Sequence, residues 1–249
     1  MPDLGWNRSF WNQGYDWAGR GEEWSEAWGG SEAQWFGTLL PRLHRALPAA
    51  AILEIAPGFG RWTRFLLPAC RAYLGIDISA QCIAACRSQF AAARHARFVA
   101  NDGLSLAAIG KQKFQLVFCF DSLVHAELDV FHAYIPQILA ALAPGGVAFI
   151  HHSNLLALGP DAETPHARAR SVSAGLVAGV VGTAGGVVLL QELIAWGITP
   201  GHDALTLFAQ RRDFPDHVPV LLDNPQFMQD ALDIRRFHAP WNAVLPGAG

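Results

Sequence analysis

Five stretches of the chain combine residue types and spacings that could do chemistry. Glu54-Ile55-Ala56-Pro57-Gly58-Phe59-Gly60 sets an acid just ahead of two close glycines. Gly75-Ile76-Asp77-Ile78-Ser79 and Asn101-Asp102-Gly103 each hold an acid. Phe120-Asp121-Ser122-Leu123-Val124-His125 and His151-His152-Ser153-Asn154 supply imidazoles. Gly58 and Gly60 allow a tight turn and close approach of backbone to a ligand. A dinucleotide fingerprint, G-x-G-x-x-G, needs a third glycine at position 63, where Thr63 stands instead. Glu54 is also unfavourable beside a pyrophosphate and favourable beside a ligand with a positive amino or sulfonium group. His125 is the first candidate for a general base, with Asp121, His151 and His152 beside it. Adjacent strand residues point to opposite faces, so one of His151 and His152 is expected to face the cleft. A divalent metal between Asp121 and His151 or His152 is conceivable, but three suitably spaced ligands are not evident, and no metal site is assigned. No G-x-S-x-G elbow is present, which disfavours nucleophilic hydrolysis.

These stretches need strands to place them. Short apolar runs at 51–55, 72–76, 97–100 and 114–120 each end at one of the acids or glycines, and 147–151 ends at His151. Two more strands are expected near 186–194 and 203–210. Helices are expected between them. One opens with a capping box at Ser31-Glu32-Ala33-Gln34, one is capped by Ser79, and one over 128–142 carries Val130, Phe131, Tyr134, Ile135, Ile138 and Leu139 on one stripe. Pro144-Gly145-Gly146 is expected to stop that helix. A further helix is expected over about 171–182, after a polar loop near 159–164. This alternation predicts a doubly wound, mostly parallel, seven-stranded α/β sheet of Rossmann-like type with helices on both faces. In such a sheet ligands sit beyond the carboxyl ends of the strands where strand order reverses.

The chain divides into a tryptophan-rich lid and helix (1–48), a ligand-binding domain (49–212) and a tail (213–249). The lid holds Trp6, Trp11, Trp17, Trp24, Trp28 and Trp35, and Trp17, Trp24 and Trp28 could cover the cleft or pack the lid to the sheet. The tail holds Pro215, Pro219, Pro225 and Pro240 and is expected to be irregular with one short helix near 226–234. With 249 residues, 51% hydrophobic and 16% charged, the chain has ample material for a core. A net charge of −3 without a run of one sign points away from nucleic acid and anionic membranes. Cys82 and Cys86, one helical turn apart, read as core cysteines of a reduced, cytoplasmic protein. Met1-Pro2-Asp3-Leu4 lacks the basic-then-apolar form of a signal peptide. The apolar stretch near 175–190 is interrupted by glycines, and it reads as a helix and a strand.

Over about residues 50–210 the chain resembles the class I S-adenosylmethionine-dependent methyltransferases. The resemblance rests on the 54–60 loop, Gly75-Ile76-Asp77-Ile78-Ser79, Asn101-Asp102-Gly103 and Pro144-Gly145-Gly146 taken together. It implies S-adenosylmethionine as cofactor. Ala56, Gly58 and Gly60 would meet its methionine part and Glu54 its amino group, directly or through water. Asp77 would accept from both ribose hydroxyls, and Ile78, Asn101, Asp102 and Gly103 would surround the adenine. Phe120 and Asp121 would line the cleft beside the sulfonium. Ala56-Pro57 departs from the glycines usual in that loop. The Phe-Asp-Ser-Leu-Val-His and His-His-Ser-Asn strings resemble bacterial sugar and small-molecule O-methyltransferases, which implies a small hydroxyl acceptor. An N- or C-methyltransferase and a non-catalytic cofactor-binding module remain alternatives, and a homodimer is compatible with the sequence.

Overall fold

The computed structural model describes residues 2–162 and 165–245. Glu163 and Thr164, at the end of the expected polar loop, lie outside the described residues.

Eight strands form one sheet: β1 (Ala49–Ile55), β2 (Cys70–Asp77), β3 (Ala96–Ala100), β4 (Phe114–Cys119), β5 (Leu142–Ser153), β6 (Gly186–Trp196), β7 (Thr199–Gln210) and β8 (Val220–Asn224). Their order is β3-β2-β1-β4-β5-β7-β6-β8. The first five run parallel, β7 runs antiparallel between β5 and β6, and β8 is parallel to β6. The helices are α1 (Leu4–Ser9), α2 (Ser31–Gln34), α3 (Leu40–Leu43), α4 (Thr63–Leu66), α5 (Ala80–Gln89), α6 (Leu128–Ala141), α7 (Leu155–Leu158), α8 (Ala174–Thr183), α9 (Phe227–Phe237) and α10 (Ala239–Val244).

The α/β class and mostly parallel sheet agree with the periodicity. Two details differ. The sheet has eight strands, because Val220–Asn224, read as irregular tail, pairs with β6 at Leu190↔Val220 through Ile194↔Asn224. A five-residue edge strand with exposed side chains leaves no alternating signature. Second, Pro144-Gly145-Gly146 does not precede β5 but lies inside it, as an irregularity in its register with β4. The helix before it ends at Ala141, where Leu142 turns extended.

Alternation along the central strands divides the core between the two faces of the sheet. Leu53 and Ile55 face α6 and α8, meeting Phe131, Ile135 and Val177. Ile52 faces the other side with Tyr73 and Phe118, under Trp35, Leu39, Trp62 and α9. Glu54, two residues beyond Ile52, therefore points to this second face. Strand order reverses between β1 and β4, whose ends open a crevice. Among the described residues no helix is long and apolar enough to cross a membrane.

Candidate active site

The ends of β1, β2, β3 and β4 open into one cavity lined by Ala56, Gly58, Asp77, Ile78, Asn101, Gly103, Phe120, Asp121 and His125. The turn after β1 is built on left-handed backbone: φ is +57° at Ala56, +57° at Gly58 and +88° at Gly60. Ala56 holds this conformation although it carries a Cβ, and its amide donates to the Ile76 carbonyl at 2.7 Å. At Gly58 a Cβ would lie 3.2 Å from the Trp17 ring, and at Gly60 2.5 Å from Phe90. Gly58 thus keeps the cavity floor open, while Gly60 packs against α5 and does not line the cavity.

Asp77 ends β2 at the cavity lip, nearly buried. One carboxylate oxygen accepts from the Gly58 amide at 3.0 Å and the other from the Ser79 amide at 2.8 Å. Burial raises its pKa to about 6, and these amides hold it from rising further. An acid fixed in this way at the end of the second strand can accept hydrogen bonds from a diol.

Glu54 lies elsewhere. It is 1% exposed and bonded to the Tyr73 hydroxyl and to Thr63 Oγ1 (2.7 Å), on the face opposite Leu53 and Ile55. Burial raises its pKa to about 7, against the lowering effect of these two bonds. It does not line the cavity, so its carboxylate is not placed for direct contact with a ligand amino group there. Strand alternation turns the side chain away. Asp102 is likewise outside. Its carboxylate is exposed and accepts from the amides of Leu104 (2.9 Å) and Ser105 (2.6 Å), which lower its pKa. Its neighbours face inward instead. Asn101 donates to the Tyr134 hydroxyl at 2.9 Å and accepts from the Gly103 amide at 3.1 Å.

At the β4 exit Asp121 sits at φ +61° and pairs with Arg61 at 2.8 Å. His125, 5% exposed, lines the cavity beside the Trp11 ring (centroids 5.2 Å). Its Nδ1 lies 3.1 Å from the Ala167 carbonyl and so donates to it, which leaves Nε2 as the basic atom. Burial lowers its pKa to about 4, the Ala167 bond opposing, so the ring is neutral at pH 7.

His151 and His152 are fully buried, and neither lines the cavity, contrary to the expectation that one would. His151 stacks on Phe120 (4.7 Å), accepts from the Asp121 amide (3.2 Å) and reaches Asp203 (3.1 Å). His152 faces the opposite side, with Nδ1 on the Ser153 carbonyl (2.8 Å) and Nε2 beside Thr206 Oγ1 (2.8 Å). Burial lowers the pKa of His152 to about 4, opposed by the Ser153 bond. The neighbouring antiparallel β7 supplies a polar partner to each ring, Asp203 and Thr206, through a pairing invisible in local sequence. Burial alone would raise the Asp203 pKa, but Arg168, His151 and His202 pull it well below the usual range. Among the described residues no group of three or more His, Cys, Asp or Glu is placed to hold a metal ion. Asp121 is joined to Arg61, and His151 to Asp203.

The N-terminal segment roofs the cavity. Trp17 stacks on Phe59 (4.5 Å) and lines the cavity with Leu4, Trp11 and Trp24. Trp28 instead packs on Trp196 (5.1 Å) and Phe227 (5.8 Å). Asn7 ties the roof down by donating to the His125 carbonyl at 2.8 Å. Arg61 and Tyr134 also line the cavity, and the sequence reading passed over both. The signal for Arg61 was its place directly after Gly60, whereas Tyr134 was hidden in the apolar stripe of α6.

Residues 52–146 match the family model described as a methyltransferase domain. No curated protein matches the chain in sequence. Among solved structures, the chain is similar to a DhpI–SAH complex at 19% identity, covering 84% of this chain and 95% of that one, with a TM-score of 0.55. It is similar to an S-adenosylmethionine-dependent methyltransferase from Clostridium acetobutylicum at 15% identity, 79% and 96% coverage and a TM-score of 0.57. The glycopeptide N-methyltransferase MtfA, complexed with S-adenosylmethionine, shares 16% identity over 70% of this chain and 86% of its own, with a TM-score of 0.54. At these identities the likeness is one of fold.

Proposed function

We propose that this chain, whose residues 52–146 match a methyltransferase domain, takes S-adenosylmethionine as cofactor and methylates a hydroxyl of a sugar or other small metabolite with His125 as general base. The observation that carries the cofactor reading is Asp77, a buried carboxylate held by the Gly58 and Ser79 amides at the lip of a glycine-floored cavity. The residues fit the cofactor. Asp77 accepts from the ribose hydroxyls. Ile78, Asn101 and Gly103 border the adenine on the β3 side, and a Cβ at Gly103 would stand 2.5 Å from Leu4. Gly58 lets the methionine part lie against backbone. Bound there, the cofactor supplies an electrophilic methyl group, so catalysis rests mainly on aligning the acceptor with it.

A hydroxyl is a poor nucleophile and needs a proton acceptor. Geometry supports that role for His125: its Nδ1 is occupied by Ala167, and it lines the cavity together with Asp121. The tryptophan roof suits a sugar ring, whose apolar faces stack on aromatic rings.

Titration calorimetry with S-adenosylhomocysteine, with NAD as control, tests the cofactor. Binding of the former alone, weakened about tenfold or more in Asp77→Ala, is expected. Binding of NAD alone would overturn the reading. Cofactor binding without turnover on any hydroxyl or amine acceptor would leave a non-catalytic module. Turnover confined to amines would point to N-methylation.

A further inference from the structure

Resting on S-adenosylmethionine as ligand, we infer that the Arg61–Asp121 ion pair is the clamp for its zwitterionic amino-acid end, Arg61 taking the carboxylate and Asp121 the ammonium. The argument begins from strand order. Asp77 anchors the ribose at the end of β2, and the neighbouring strands run β2, β1, β4. Strands lie about 4.8 Å apart, so the β4 exit is about 10 Å from Asp77. The adenine leaves the ribose toward β3, where Asn101 and Gly103 wait. The methionine chain leaves in the other direction and ends over β1 and β4. That is where Arg61, on the turn after β1, meets Asp121, directly after β4.

The pair is built for a ligand of both charges. It faces the cavity, with Arg61 10% and Asp121 5% exposed. Arg61 donates to only one oxygen of Asp121 (Oδ2, 2.8 Å) and to Ser25 Oγ (3.2 Å), so three of its five N–H groups and the other Asp121 oxygen can serve a ligand. A carboxylate beside the guanidinium and an ammonium beside Oδ1 alternate the four charges, and none is buried without its counter-ion. The Asp121 amide is braced by His151, and Ser122 Oγ ties the β4 loop to the Ala56 carbonyl at 3.1 Å. Asp121 thereby takes the place that Glu54, turned to the opposite face, leaves open.

The experiment compares S-adenosylhomocysteine with 5′-methylthioadenosine, which keeps the adenosine and sulfur but lacks the amino-acid group. By calorimetry the parent should bind S-adenosylhomocysteine more tightly. Arg61→Met and Asp121→Asn should each weaken it about 10- to 100-fold and leave 5′-methylthioadenosine within about twofold. Arg61→Lys should recover part of the loss. Unchanged S-adenosylhomocysteine binding in both variants overturns the clamp. So does a parallel loss of both ligands, which marks the pair as structural. Failure of the parent to bind either ligand overturns the S-adenosylmethionine reading itself, and is thus distinct from failure of the clamp.

Discussion

Glu54 and Asp77 are both acids near the carboxyl ends of neighbouring parallel strands, yet they face different surroundings. Asp77 is the last residue of β2, beyond the sheet's pairing with β1, where its side chain can reach the cavity lip. Glu54 is one residue short of the end of β1 and still obeys strand alternation, so it packs on Tyr73 and Thr63. The same rule separates His125 from His151 and His152. His125 follows its strand in a short helical turn and reaches the cavity, whereas the other two remain within β5. This difference predicts the outcome of substitution. His125→Gln should lower kcat on a hydroxyl acceptor by about 10²-fold or more and leave S-adenosylhomocysteine affinity unchanged. His152→Gln should leave the chemistry intact and act on stability. A steady-state assay paired with ligand titration reads both, and equal kcat values for the two variants would remove His125 from the base role.

At the scale of elements, the N-terminal segment is the part whose placement the sequence left open. Short helices run among its tryptophans in α1 and the helical turn Glu22–Trp28. The three candidate lid tryptophans divide by function of position. Trp17 and Trp24 line the cavity, and Trp28 is 1% exposed between β6 and α9. Trp28 is then the anchor that holds the roof in place. Trp28→Ala should cost about 3–5 kcal/mol in urea unfolding. Trp28→Phe should cost less, because Trp28 Nε1 is buried without a hydrogen-bond partner and phenylalanine carries no such donor. A cost within 0.5 kcal/mol for the alanine variant would show that the turn is held elsewhere.

Across the whole molecule, four buried titratable groups pull stability in opposite directions with pH. His125 and His152 have folded pKa values of about 4, below the ordinary 6.5. Their contribution is full above pH 6.5 and is lost as pH falls through 4, because the unfolded chain takes up protons first. Glu54 and Asp77 have folded values of about 7 and 6, above their ordinary 4.5 and 3.8. Their contribution is full at low pH and is lost as pH rises through those values. Between about pH 4.5 and 6 the two pairs offset one another, and stability there should vary little. Glu54→Gln removes one of the two acids from the balance. Relative to the parent it should gain up to about 3 kcal/mol between pH 4.5 and 8, read from urea unfolding midpoints at several pH values. No relative gain with rising pH would mean that Glu54 ionises normally in the folded chain.

The local patterns carried the α/β class, the strand ends that build the cavity and the glycine turn, because each depends on periodicity or turn chemistry within a few residues. Ala51–Ile55 and Ala72–Asp77 read as strands and they are, the second ending at Asp77 and the first one residue past Glu54. The facing of Glu54 and of the two β5 histidines, the eighth strand and the roof over the cavity belong to the tertiary structure alone. Asn7 meets His125 across 118 residues, and Arg61 meets Asp121 across 60. Such contacts arise only once the sheet order brings distant strand ends together. No window of sequence contains both partners, so local pattern can name the residues but not join them.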